Sequence, residues 1–186
     1  MNKLRLLTFL LLAAFFIQSC KKETVVGTAY TTAPFQANIN GATWAPADTF
    51  TSAVNYDATA KTKTYVLAGT HAQKQIIMSI TVSSASNTPG FPTGTYNIDS
   101  VLVTAQYKTQ VKDDDGNYIF LPHGTVGPGA GIIYVNAVDS VKKVITGTFQ
   151  FYSRSIATDG SGAITIDNIL GGEFNKLPYT YTSNSN

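Results

Sequence analysis

Few stretches of this 186-residue chain hold residue types that could do chemistry. Asp113-x-Asp115-x-Asn117 puts oxygen donors at the first three ligand positions of a calcium loop, since a hard cation collects carboxylate and amide oxygens at alternate residues. The pattern then breaks. Such a loop wants Gly at its sixth position and Glu at its twelfth, where this chain has Tyr118 and Gly124. A hairpin turn built on Asp115-Gly116 accounts for the same residues and is the expectation, with calcium at Asp113, Asp115 and Asn117 as the alternative. His71 and His123 are the two histidines, far apart in sequence, and a zinc site takes three or four ligands. A Ser-His-Asp arrangement assembles in space rather than in sequence, but no Gly-x-Ser-x-Gly elbow marks a nucleophile. Both histidines are therefore expected to be polar loop residues. The glycine-rich run at 124–131 lacks the Gly-Lys-Ser/Thr ending of a phosphate cradle, and Pro128 removes one of the N–H donors a cradle would use. The chain is expected to have no catalytic residue and no cofactor, and not to be an enzyme. A cluster of His71, His123 and carboxylates would argue the other way.

The remaining reactive residue is Cys20, the single cysteine. It follows a basic start (Lys3, Arg5) and a 12-residue run at 6–17 that is apolar apart from Thr8. A membrane-spanning helix needs roughly 20 apolar residues, so the run reads as the core of a secretory signal. Ile17-Gln18-Ser19-Cys20 resembles the bacterial lipoprotein signal, in which the cysteine becomes the acylated first residue. The expected layout is a signal peptide at 1–19, an acylated Cys20 with a polar tether to 34, a β domain at 35–176 and a polar, frayed tail at 177–186. Removing the signal takes two basic residues and leaves 11 basic against 11 acidic. A neutral chain argues against nucleic-acid binding, which requires a basic face. One cysteine excludes a disulfide within the chain, so stability rests on a hydrophobic core.

That core must be built from strands. Thr, Val, Ile, Tyr and Phe are abundant, charged residues make up 13%, and the apolar residues alternate rather than recur at helical spacing. Asn40-Gly41 between residues 35–39 and 42–44 is a strong hairpin signal. Ile76, Met78, Ile80 and Val82 share one face. Residues 131–138 and 144–152 pair across a polar turn, with Phe149 and Phe151 on one side, and 163–167 pairs with 169–174. Trp44 is expected to plug the core or an edge, and Tyr96, Tyr107, Tyr118 and Tyr134 to lie in the core or on a sheet face. Short strands punctuated by Gly, Pro, Asn and Asp predict one antiparallel all-β domain, a β-sandwich or an irregular β-barrel.

The order of these motifs resembles a known family. Phe35-x-Ala37-x-Ile39-Asn40-Gly41-x-x-Trp44, Gly94-Thr95-Tyr96, Gly147-Thr148-Phe149-x-Phe151 and Ile164-x-Ile166-x-x-Ile169-x-x-Gly172-x-Phe174 are similar to uncharacterised exported lipoproteins of Bacteroidota. The resemblance spans roughly residues 35–174. It implies a β-rich exported domain and carries over no catalytic residue. In those bacteria Asp99-Ser100-Val101 and Asp139-Ser140-Val141 would match an O-glycosylation acceptor, and a turn opening on Asp-Ser accounts for each equally. The expectation is a lipoprotein held at the outer membrane through Cys20, on the periplasmic face because the acidic run tied to surface export is missing. It would be a non-enzymatic module binding a glycan or protein partner. The alternative is a barrel carrying a small apolar ligand in its mouth. A deep apolar cavity would favour the carrier, and a row of exposed aromatics the binding module.

Overall fold

Residues 33–46, 49–124, 127–156 and 161–184 are described by the structure, a computed structural model. The expected signal, the expected anchor Cys20 and the expected tether up to residue 32 lie outside the described residues. Twelve strands form where apolar and polar residues alternate: β1 (Phe35–Ile39), β2 (Ala42–Trp44), β3 (Phe50–Asp57), β4 (Thr62–His71), β5 (Lys74–Ser83), β6 (Gly94–Asn97), β7 (Val103–Lys112), β8 (Tyr118–Pro122), β9 (Gly131–Asp139), β10 (Val144–Ile156), β11 (Ile164–Pro178) and β12 (Thr180–Asn184). One sheet has the order β2-β1-β11-β10-β9-β6 and the other β12-β3-β4-β5-β7-β8. Neighbours run antiparallel except β12 on β3, which are parallel. Neither sheet closes on itself, so the two readings left open by the sequence resolve to an all-β sandwich.

Period-two alternation decides which residues fill the space between the sheets. On β5, Ile76, Met78 and Ile80 are buried; on β10, Ile145, Phe149 and Phe151; on β4, Tyr65 and Leu67. At the β1–β2 hairpin both Asn40 and Gly41 have positive φ, as a type I′ turn demands. Trp44 is buried in the core, and its indole N–H donates to the His71 carbonyl at 3.0 Å.

Two sequence expectations are corrected here. Residues 163–174 do not form a pair with each other. From Ile164 on they belong to one long strand, β11, whose partner along its length is β10. A bulge lets them stay in one strand: Phe149 faces Gly172 and Phe151 faces Ile169, so Leu170 and Gly171 together oppose Gln150. Gly171 takes φ +53°, the left-handed geometry a bulge of this kind asks of its extra residue. The tail is not frayed either. Leu177 is fully buried, Tyr179 is buried with its hydroxyl donating to Pro89 O at 2.8 Å, and residues 180–184 pair with β3. Alternating Tyr and Thr satisfy a sheet edge that looks merely polar in sequence.

Buried ionisable groups set the alkaline limit of this fold. Burial pushes Tyr65 well above the usual tyrosine value, and burial together with the Asp167 charge pushes Tyr107 up to about 12. Burial also raises Tyr96 and Tyr179. Each raised phenol ionises first in the unfolded chain, so each removes stability as pH climbs above 10. Lys63 acts oppositely. Its ammonium donates to Thr88 Oγ1 at 2.9 Å and Gly90 O at 2.8 Å, and burial lowers its pKa, so it gains stability as pH rises toward the ordinary lysine value. Four phenols outweigh one amine. The urea midpoint is expected to be steady to pH 9 and to fall between pH 10 and 11.5, less steeply in Tyr65→Phe. A midpoint that rises over that interval would reverse the balance.

Candidate functional site

Polar side chains at core-facing positions are rare in this sandwich, and several of them meet at one place. β7 turns Tyr107 and Thr109 inward, and the chain leaving β8 brings His123 beside them, its N–H donating to Tyr107 O at 2.9 Å. β11 of the other sheet turns Asp167 inward, 5% exposed. His123 Nδ1 lies 2.8 Å from Asp167 Oδ2, and His123 Nε2 lies 2.5 Å from Thr109 Oγ1. The second carboxylate oxygen, Asp167 Oδ1, accepts from Asn40 Nδ2 at 2.7 Å. Asn40 is itself held, since its Oδ1 accepts the Asn168 N–H at 2.8 Å and its own N–H donates to Asn168 O at 3.0 Å. Ser153 of β10, also buried, donates its hydroxyl to the His123 carbonyl.

The carboxylate fixes the proton positions. A carboxylate beside Nδ1 favours the tautomer that carries its ring hydrogen there, which leaves Nε2 to accept from the Thr109 hydroxyl. The imidazole also packs on Tyr107 at 4.9 Å between centroids. The group ties the two sheets by directional bonds, and it orders a hydroxyl, an imidazole and a carboxylate in a line.

The outer face of the β2-β1-β11-β10-β9-β6 sheet carries a second feature. Register places Thr95, Tyr134, Thr148, Glu173 and Gln36 in one row across five strands. Gln36 Nε2 donates to Glu173 Oε1 at 2.5 Å. An open groove of about 230 Å³ runs beside the bulge, lined by Tyr134, Thr148, Gln150, Gly171 and Glu173. Tyr134 and Tyr152 on the same sheet are 39% and 51% exposed.

Of the residues singled out in sequence, His123 and Tyr107 lie in the buried group and Tyr134 on the outer row, and the others fall elsewhere. Asp113, Asp115 and Asn117 form the β7–β8 turn, where Asp113 Oδ1 accepts the Asn117 N–H at 2.7 Å and Asp113 O the Gly116 N–H at 3.0 Å. Among the described residues no three His, Cys, Asp or Glu side chains gather as a metal-binding group. His71 ends β4, not a loop, and its carbonyl accepts the Trp44 indole N–H. Asp99 and Asp139 each accept backbone N–H groups two and three residues on, and Asp99 a third from Val103. Both Asp-Ser-Val stretches are therefore capped turns. Those three N–H groups hold the Asp99 carboxyl below the usual range. Thr109 and Asp167 were not singled out in sequence, and Asn40 only as a turn residue.

These features define a two-sheet β-sandwich with a half-buried imidazole on a buried carboxylate and a shallow groove on one face. The chain belongs to the family described as a domain of unknown function, DUF6252, whose model matches residues 31–178. No curated protein and no solved structure matches it.

Proposed function

We propose that this chain is a lipid-anchored cell-envelope module of a Bacteroidota bacterium, acylated at Cys20, that recognises a glycan through the outer face of its β2-β1-β11-β10-β9-β6 sheet. The supporting observation is the row that places the half-exposed Tyr134 ring beside Thr148, Glu173 and Gln36. A sugar presents an apolar ring face and a rim of hydroxyls. Tyrosine offers such a ligand an apolar face, and a carboxylate and an amide bond its rim. The groove is smaller than the roughly 300–1,000 Å³ of sites that engulf small molecules, which favours surface contact. A ligand carrier built on a barrel's mouth has no closed barrel to use here. The module works by binding at this face, on the outer membrane and on its periplasmic side, and a near-neutral surface leaves nucleic acid aside.

Calorimetric titration with envelope saccharides tests this. Tyr134→Ala is expected to weaken binding about tenfold, which corresponds to about 1.4 kcal/mol, with the fold intact because the side chain lies on the solvent face. Binding that is indifferent to Tyr134→Ala would remove the site. Envelope cross-linking from position 134 that captures a protein instead would move the reading to a protein partner. The anchor has its own check: Cys20→Ala is expected to shift the protein from the membrane fraction to the soluble fraction, and unchanged retention would refute acylation.

A further inference from the structure

We propose that Thr109 is a nucleophile for acyl transfer, with His123 as its base and Asp167 and Asn40 as positioning residues, at an ester-cleaving site distinct from the glycan-binding groove. Asp167 lies six residues along β11 from Glu173 and faces inward, so the two sites occupy opposite faces of the sheet.

A clamp between sheets would need one bond in any direction; this group has a fixed polarity. Asn40 holds Asp167 Oδ1, Asp167 Oδ2 holds His123 Nδ1, and Nε2 is left directed at the Thr109 hydroxyl. Such an order of carboxylate, imidazole and hydroxyl raises the nucleophilicity of an alcohol. The histidine's main chain is fixed at both ends, by Tyr107 O and by the Ser153 hydroxyl. Yet its side chain keeps 19% of its surface in solvent, so the relay is open to a reactant.

The strands around it supply a binding wall. β5 stops pairing with β7 at Thr109, and β7–β8 continues as a two-stranded extension to Lys112 and Tyr118. Val111, Ile119 and Leu121 share the Thr109 face of that extension, with Ile119 and Leu121 about two-fifths exposed. β10–β11 likewise runs on beyond the last pair of β9 with β10, Gly131 with Phe151, and there Ser155 and Thr165 share the Asp167 face. The apolar wall beside the hydroxyl suits the acyl chain of an ester.

In the reaction, Thr109 Oγ1 attacks the ester carbonyl carbon while His123 Nε2 takes the hydroxyl proton. The carbon–oxygen bond to the alcohol then breaks, and the alcohol leaves with the proton from Nε2. Water attacks the acyl-threonine, His123 accepts its proton and returns it to Thr109 Oγ1, and a carboxylic acid is released. One ester and one water give one acid and one alcohol.

The full chain treated with an alkyl fluorophosphonate, followed by intact and peptide mass measurement, tests this. The expected result is one adduct, located on Thr109, and turnover of p-nitrophenyl butyrate that the probe abolishes. Thr109→Val should lose the adduct, and Thr109→Ser should keep or increase it, because serine presents the same hydroxyl without the methyl group. Asp167→Asn should slow labelling at least tenfold in protein whose near-ultraviolet circular dichroism is unchanged. An unlabelled wild-type protein, labelling that persists in Thr109→Val, or loss of labelling in folded Thr109→Ser would each overturn the proposal.

Discussion

Phe35→Ala is expected to lower the unfolding free energy by about 3–5 kcal/mol, the usual cost of emptying a buried aromatic site. Phe35 is fully buried in β1, its ring edge-on to Trp44 at 5.4 Å and tilted against Phe149 at 5.8 Å. The same ring reaches the opposite sheet. A Cβ placed on Gly69 of β4 would lie 2.6 Å from the Phe35 ring and 2.6 Å from Pro46, so the two sheets approach here because one residue has no side chain. Gly69→Ala alone should overpack the site at a cost of about 1–3 kcal/mol. In the Phe35→Ala background the methyl group enters space the ring has left, and its cost should fall by at least half, with Pro46 setting the remainder. Urea unfolding of the wild type, both single variants and the double variant measures this coupling. Additive losses would mean that Phe35 and Gly69 do not compete for the same space. Small domains carry about 5–15 kcal/mol in total, so Phe35→Ala alone would leave a marginal fold.

Alternation made much of this fold legible before any coordinates. Phe35, Ala37 and Ile39, then Ile76, Met78 and Ile80, and Phe149 with Phe151 all have the parity of the core, and all are buried. Asn40-Gly41 announced its hairpin by the conformations only those residues take easily. The β10–β11 partnership was harder to read, because the Gly171 bulge changes the parity of β11 midway. A pattern of strict period two reads such a strand as two pieces. β12 was illegible for another reason: its parallel partner β3 lies more than a hundred residues away, and parallel pairing leaves no turn signal. The relay posed the same difficulty of distance, since residues 40, 109, 123 and 167 meet only after both sheets form. One local mark did exist. Thr109 has the parity of Tyr107, and Asp167 that of Ile169, so each is a polar residue at a core-facing position. Such a position asks for a buried partner, but parity alone does not say which one.

Asp167→Ala is the sharpest test of whether that partnership matters to the fold, with an expected loss of about 3 kcal/mol. Losing its acceptor costs a buried donor about 1–3 kcal/mol, and the residual exposure of His123 keeps the total near 3 kcal/mol. Two donors lose their acceptor together, His123 Nδ1 and Asn40 Nδ2. Asn40 is exposed, so water can take up its freed amide hydrogens while its carbonyl oxygen stays on the Asn168 N–H, and the larger share of the loss falls on His123. Asp167→Asn should cost less, about 1–2 kcal/mol, because its carbonyl oxygen still accepts from His123 while its NH2 faces the NH2 of Asn40. The Asn40→Ala and Asp167→Ala losses should therefore be sub-additive, as both delete the same hydrogen bond. Urea midpoints at constant slope measure all three. A loss below 1 kcal/mol for Asp167→Ala would show that the apolar core alone holds the sheets at this end. A loss near 3 kcal/mol with a milder Asp167→Asn would show that the cost comes from stranded donors. Evolution would then have kept a polar group in an apolar position at a real expense in stability, and an apolar pair would serve a purely structural role as well.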